Sequence, residues 1–402
     1  MLSVKGGAGY CFFVVFLLSL IYLSSAEGRR HAALLYRAHR AFVIGMLALP
    51  AVILLQIVVL RVSAPSALDP FLRFALAVPC FFLLASLPSR QLRLVQWGFV
   101  VGALTVGAWA VYVSLYPEAF QWTYGNRLGN SFTNPIPFGD TAILLAFMSV
   151  ISISRKQSVR TAEVAIKVLA LVLAGYASLR SGSRGGWIAI PLLVWGTLSG
   201  RHLLNTARSR FVWFGVALAC IAAFAVTSTT IRTRFEAVGT DIESMQQGNG
   251  NTSVGLRFNL WQACTKLYLE HPVFGVGRGN LDEALGALAE RGEAPRDIVN
   301  SGGHSEFFSA ISQTGTVGLV ALLMLYAGTF HAFWRYRRHP DPEVVTAAYM
   351  GVGTVGATVI FGLTIDALTL VMSTAFFALT VATLLAWIDA RVREQTTNSD
   401  CG

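Results

Sequence analysis

Uninterrupted apolar runs of about 17–25 residues recur along almost the whole chain, and no other feature restricts its folding so severely. Each run is long enough to cross a hydrocarbon layer roughly 30 Å thick. Lipid leaves no water to satisfy a strand edge or an open loop, so each run is expected to be a helix. Eleven spans are predicted, near residues 9–25, 40–60, 70–88, 94–116, 137–153, 163–179, 185–199, 211–229, 306–333, 344–363 and 367–388. The composition agrees: of 402 residues, 54% are hydrophobic and 13% charged, where about a quarter is usual in soluble domains. The expected fold is an all-α polytopic membrane protein of about 11–12 transmembrane helices. Residues 1–229 form the N-terminal transmembrane helices, 230–303 one large loop, and 304–402 the C-terminal transmembrane helices with a short tail.

The net charge of +10 does not point to nucleic acid, because no basic stripe with interleaved aromatics accompanies it. The basic residues sit between the apolar runs, and alternate segments differ sharply. One set carries eighteen, from Arg29, Arg30, Arg37 and Arg40 through Arg90 and Arg93 to Arg335, Arg337, Arg338, Arg391 and Arg393. The short segments of the other set carry Lys5, Arg61, Arg127, Arg180 and Arg184. The richer set is expected to be cytoplasmic, with the C-terminus inside and the N-terminus and residues 230–303 outside. Ser24-Ser25-Ala26 resembles a signal-peptide cleavage site, but Lys5 precedes the run and four arginines follow it, the wrong asymmetry for a secretory signal. Five scattered cysteines, Cys11, Cys80, Cys220, Cys264 and Cys401, show neither metal-type spacing nor a disulfide framework.

The polar segment 230–303 carries seven basic and nine acidic residues, a balance suited to a folded, water-facing element. Helices are expected near 256–270 and 280–291, separated by HPVFGVGRGN. Gly275, Gly277 and Gly279 there imitate a dinucleotide fingerprint, but no strand of a βαβ unit precedes them.

Four unusual patches fall on the poorly basic side: RLGNSFTNPIPFGD from Arg127 to Asp140, LRSGSRGGW with Arg180 and Arg184, GLRFNLW with Arg257 and Trp261, and NSGGHSEF with His304. An arginine lodged between two apolar spans is costly without a partner. A guanidinium is a planar fork that fits phosphate oxygens and stays charged. Arg184 and Arg257 thus suit a diphosphate; equally, Arg184 suits snorkelling to headgroups or pairing with Asp140. His304 titrates near neutrality and can take a proton from an attacking hydroxyl, or it can be a structural histidine at a helix start. Trp261 and Phe258 suit stacking on a sugar or ordinary packing. No DxD-like metal pair, Walker loop or hydrolytic carboxylate pair is present.

From about residue 127 to 330 the sequence resembles the O-antigen ligase and O-antigen polymerase superfamily. The likeness rests on RLGNSFTNP, the SRG at Ser183-Arg184-Gly185, GLRFNLW, HPVFGVGRGN, and GGHSEF continuing as QTGTVGLV. It implies a GT-C-like helical fold in the bacterial inner membrane, with a large helical periplasmic loop and a periplasmic active site. It also implies no metal or other cofactor. The donor would be O-antigen on undecaprenyl diphosphate and the acceptor lipid A–core oligosaccharide, both presented at the lipid bilayer. Arg184 and Arg257 then take the donor-phosphate role and His304 that of the base, with inversion at the anomeric centre. Arg127, Asn134, Arg180 and Trp261 are carried over as pocket-shaping residues. Polymerase, protein O-oligosaccharyltransferase and non-catalytic lipid-diphosphate transporter are the alternatives. Family members usually show about twelve spans with both ends cytoplasmic, whereas eleven and an outside N-terminus are read here.

Overall fold

The computed structural model describes residues 5–60, 65–119, 127–153, 161–200, 206, 253–299 and 301–400. The span expected at 211–229 lies outside the described residues, as do Arg61, Arg155, Arg201 and the first part of the large loop. Among the described residues the chain is helical, without strands, and eight helices are long and apolar enough to cross a membrane. It is an all-α polytopic membrane protein.

Helix α1 (Gly7–Ser24) leads straight into α2 (Ala26–Ala38). Ser25 between them accepts the Gly28 N–H at 2.9 Å, which caps the second helix. α2 buries Leu35 and exposes Arg29, Arg30 and Arg37, the pattern of a helix lying at a polar–apolar boundary. Then follow α3 (Arg40–Leu60), α4 (Pro65–Leu84), the single turn α5 (Ser89–Leu92) and α6 (Val95–Leu115). α7 (Pro135–Ile151) and α8 (Thr161–Ser181) correspond to the fifth and sixth expected spans.

The seventh expected span, 185–199, is instead a five-residue turn, α9 (Arg184–Ile188), followed by α10 (Ile190–Gly200). Pro191 has no N–H with which to continue the preceding turn, so a fresh helix starts at its position. In the large loop, α11 (Ser253–Glu270) and α12 (Leu281–Glu290) occupy the two places where helices are expected. α13 (Glu306–Trp334), α14 (Pro342–Phe361) and α15 (Val371–Asp400) complete the chain.

One apolar core runs through the bundle, with α3 against α13, α7 against α8, and α4 and α14 against α15. A second, smaller core joins α11 to α12 through Leu260, Cys264, Leu267, Leu281, Leu285 and Leu288. The loop segment is therefore a packed unit rather than a linker.

The joint between loop and bundle is a break in α13. Gly315 leaves helical geometry there, with φ 63° and ψ −160°. The freed backbone groups are met by the turn segment 272–277: Thr316 donates to Pro272 O at 2.8 Å, while Val276 and Gly277 donate to Ser312 O and Gln313 O at 2.9 and 3.1 Å. Buried Gln56 of α3 pins the same joint. Its amide donates to Phe274 O and Gln313 O at 2.5 and 2.6 Å, and its carbonyl accepts the Arg278 N–H at 3.1 Å. A break inside so apolar a helix is tolerated because protein groups satisfy the freed backbone.

Candidate functional site

His304 is the one non-glycine residue with positive φ among the described residues, at 46°. L-residues avoid that region because the side chain crowds the backbone, so something must hold the residue there. The holder is Asp366, in the turn between α14 and α15. Its Oδ2 accepts the Gly303 N–H at 3.0 Å, and its Oδ1 accepts the Ser305 N–H at 3.1 Å and the Ser309 hydroxyl at 2.8 Å. One carboxylate thus grips the residues on both sides of the histidine. The same turn makes further bonds: Glu306 N–H donates to Gly362 O at 2.8 Å, and the Leu368 N–H donates to Glu306 Oε2 at 2.8 Å. Glu306 is buried and directed to that amide, whereas His304 is half-exposed.

The turn 362–368 also reaches the patch around Arg184. A Cβ added to Gly185 would lie 2.2 Å from Thr364 Oγ1, so this glycine is required for the close approach. On its other side the SGSRGG turn packs against α7, where Ser183 donates to Asp140 Oδ1 at 2.5 Å and the Gly186 N–H also bonds that carboxylate. Arg184 itself is exposed. Arg127 straps the first patch onto this turn, donating through Nε to Ser181 O at 2.9 Å and through Nη2 to Gly182 O at 3.3 Å. The Leu128 N–H donates to Arg180 O at 3.0 Å beside it. Asn134 accepts the Ile136 N–H at 3.0 Å and so caps α7.

The third patch arrives on α11. Trp261 stacks on Phe308 of α13, with ring centroids 5.1 Å apart and planes 9° apart. One face of that indole is therefore taken by packing, and its N–H is buried without a partner in the described residues. Arg257, one turn earlier, is close enough for its charge to act on His304. Burial pushes the imidazole pKa below its ordinary value, Arg257 pushes it further down, and Asp366 partly opposes both. The neutral ring, the form able to accept a proton, is thereby favoured.

The structure therefore joins Arg127, Arg180, Arg184 and His304 around the turns 181–186 and 362–368, and it sets Arg257 electrostatically beside the histidine. Three nearby residues escape the sequence reading. Asp366 lies in a short turn between two apolar runs, where its charge is the available signal. Gln56 is a polar residue inside an apolar run. Arg278, within HPVFGVGRGN, is buried with its guanidinium 4.5 Å from the Phe71 ring centre. It feels the charges of Glu306 and Asp366 and lines a cavity of about 10 Å³ with Glu306 and Thr314, room for about one water.

Residues 169–323 match the O-antigen ligase family, a stretch that contains Arg180, Arg184, Arg257 and His304. The chain carries an O-antigen ligase family domain. This domain begins within α8 and ends within α13, so Asp366 stands outside it. The chain is also similar to an uncharacterized protein of Haemophilus influenzae (strain ATCC 51907 / DSM 11121 / KW20 / Rd), 25% identical over 266 residues. That alignment covers 63% of this chain and 62% of the relative, so the chain spans less than two thirds of the relative's length. The matched stretch and the helical bundle together describe a multi-pass membrane protein that is similar to the O-antigen ligase family over residues 169–323.

Proposed function

We propose that the protein is an inverting glycosyltransferase that moves O-antigen from undecaprenyl diphosphate to lipid A–core oligosaccharide at the periplasmic face of the inner membrane. The observation that carries this reading is the strained, carboxylate-gripped His304 with the Arg257 charge beside it. A backbone conformation held against its own preference is the mark of a side chain that must be aimed.

An acceptor hydroxyl attacks the anomeric carbon of the donor sugar. The bond from that carbon to the diphosphate oxygen breaks, and its electron pair leaves with the diphosphate. His304 takes the hydroxyl proton, which typically contributes about 10²–10⁴-fold. Arg184 and Arg257 offer fixed guanidinium charge to the departing diphosphate, the kind of preorganised stabilisation that is often the largest catalytic term. Asp366 acts through His304 by holding the backbone on either side of it. Arg127 and Arg180 shape the turn that presents Arg184, while Asn134 and Trp261 keep α7 and α11 in place.

Purified protein, undecaprenyl-diphosphate-linked glycan and lipid A–core, without ATP or added metal, should yield capped lipopolysaccharide and free undecaprenyl diphosphate. Extension of a second lipid-linked glycan instead would make the activity a polymerase. Glycosylated protein as the product would transfer the reading to protein O-oligosaccharyltransferases, and movement of donor without bond cleavage would make the chain a transporter.

A further inference from the structure

The other end of α13 holds a second site. This helix has 29 residues, so at 1.5 Å per residue, and allowing for its break at Gly315, its last turn lies at most roughly 40 Å from His304. There a cavity of about 160 Å³ opens between the α2–α3 junction and the end of α13, lined by Arg37, His39, Arg40, Phe42, His331 and Arg335 among others. No acidic residue lines it. Arg37, Arg40, His331 and Arg335 are all exposed and form no ion pair among the described residues. Arg335 is steered towards the junction by donating to Ala38 O at 3.1 Å.

The start of α3 adds positive potential there. The His39 N–H is bonded to Leu35 O and the Val43 N–H to His39 O. Between them, the amides of Arg40, Ala41 and Phe42 have no backbone acceptor among the described residues, as at any helix start left open. The His39 side chain is 1% exposed and donates from Nε2 to Asp389 at 3.0 Å, which fixes the junction between α2 and α3 at the floor of the cleft. Open amides and three guanidinium groups around a cavity without acidic lining together make a receptor for phosphate oxygens.

The surroundings decide where that phosphate comes from. One and two turns along α3, Ile44 and Leu47 are exposed to 40% and 42%. On α2, Leu34 and Tyr36 are likewise exposed. A phosphate seated among the arginines would have an apolar wall leading away from it along the helix, as the headgroup of a bilayer lipid requires. We infer that this cleft binds the phosphate of an anionic phospholipid, in the leaflet at the end of the bundle opposite His304.

The test compares full-length protein in nanodiscs of phosphatidylcholine doped with phosphatidylglycerol, with lipid retention read by native mass spectrometry. Wild type should retain phosphatidylglycerol in preference to phosphatidylcholine. The combined Arg37→Gln, Arg40→Gln and Arg335→Gln variant should lose that preference by about 10- to 100-fold. An equal change of charge at Arg30, Arg90 and Arg338, exposed arginines outside the cleft, should leave it intact. On wild-type protein alone, a photoreactive phosphatidylglycerol should label segments 37–42 and 331–335. Equal losses in both triple variants, or labelling elsewhere, would overturn the site. Displacement of the lipid by millimolar inorganic phosphate would overturn its assignment to a lipid and leave a soluble phosphate as the occupant.

Discussion

A histidine held at φ 46° costs about 1–2 kcal/mol relative to a relaxed backbone, and glycine escapes that cost. His304→Gly should therefore unfold at a higher temperature than His304→Ala, while both lower transfer by about 10²–10⁴-fold and keep donor binding. Near-normal turnover in either variant would remove the imidazole from the reaction. The pH profile supplies a separate check. Burial and the Arg257 charge hold the His304 pKa below its ordinary value, and the base works only when neutral. Transfer should stay flat down to about pH 6.5 and fall at lower pH as the ring protonates. Arg257→Gln removes one depressing charge, so the fall should begin at higher pH. Asp366→Asn loses a carboxylate that accepts three bonds around the histidine. We expect it to lower kcat about 100-fold, the loss associated with misplacing a group by about 1 Å, with little change in KM. A change confined to KM would contradict a positioning role.

At the scale of elements, the break in α13 organises the site, because it sets the loop helices α11 and α12 against the bundle. A Cβ at Gly315 would lie 2.3 Å from Val273 O, at a φ that side chains rarely adopt. Gly315→Ala should cost about 3 kcal/mol or more, read as a lowered unfolding temperature and reduced yield. Gln56→Leu leaves Phe274 O and Gln313 O without their shared donor, and should cost about 1–3 kcal/mol. The two loop helices are legible in the sequence because their apolar spacing is local. The role of HPVFGVGRGN is not. Its glycines adopt positive φ at 275, 277 and 279 to lie against a backbone some forty residues further on, and no local pattern encodes that partner. The seventh span misleads for the opposite reason: its apolar content suits a helix throughout, and the restart at Pro191 is a backbone effect that hydropathy does not register.

For the whole molecule, the fold class follows from run length alone, because lipid admits few other structures. Alternating loop charge leads to the expectation that the arginine patches and His304 share one side, and the turns 181–186 and 362–368 do meet through Gly185 and Thr364. What pattern reading could not supply is the packing that joins them: the Gly185–Thr364 contact and the Asp366 grip both depend on the turn 362–368. The sidedness itself is testable. In a cysteine-depleted background, Arg291→Cys should react with an impermeant thiol reagent once the outer membrane is permeable. Arg338→Cys should react only after the inner membrane is breached, and the reverse order would invert the orientation.

The matched domain stops at residue 323, yet the carboxylate that aims its histidine belongs to residue 366. A chain trimmed to the recognisable region would keep Arg180, Arg184, Arg257 and the imidazole but lose Arg127 and the carboxylate that grips the backbone around His304. Under the proposed reaction the final two helices therefore belong to the working apparatus, because the turn between them carries the residue on which the histidine backbone leans.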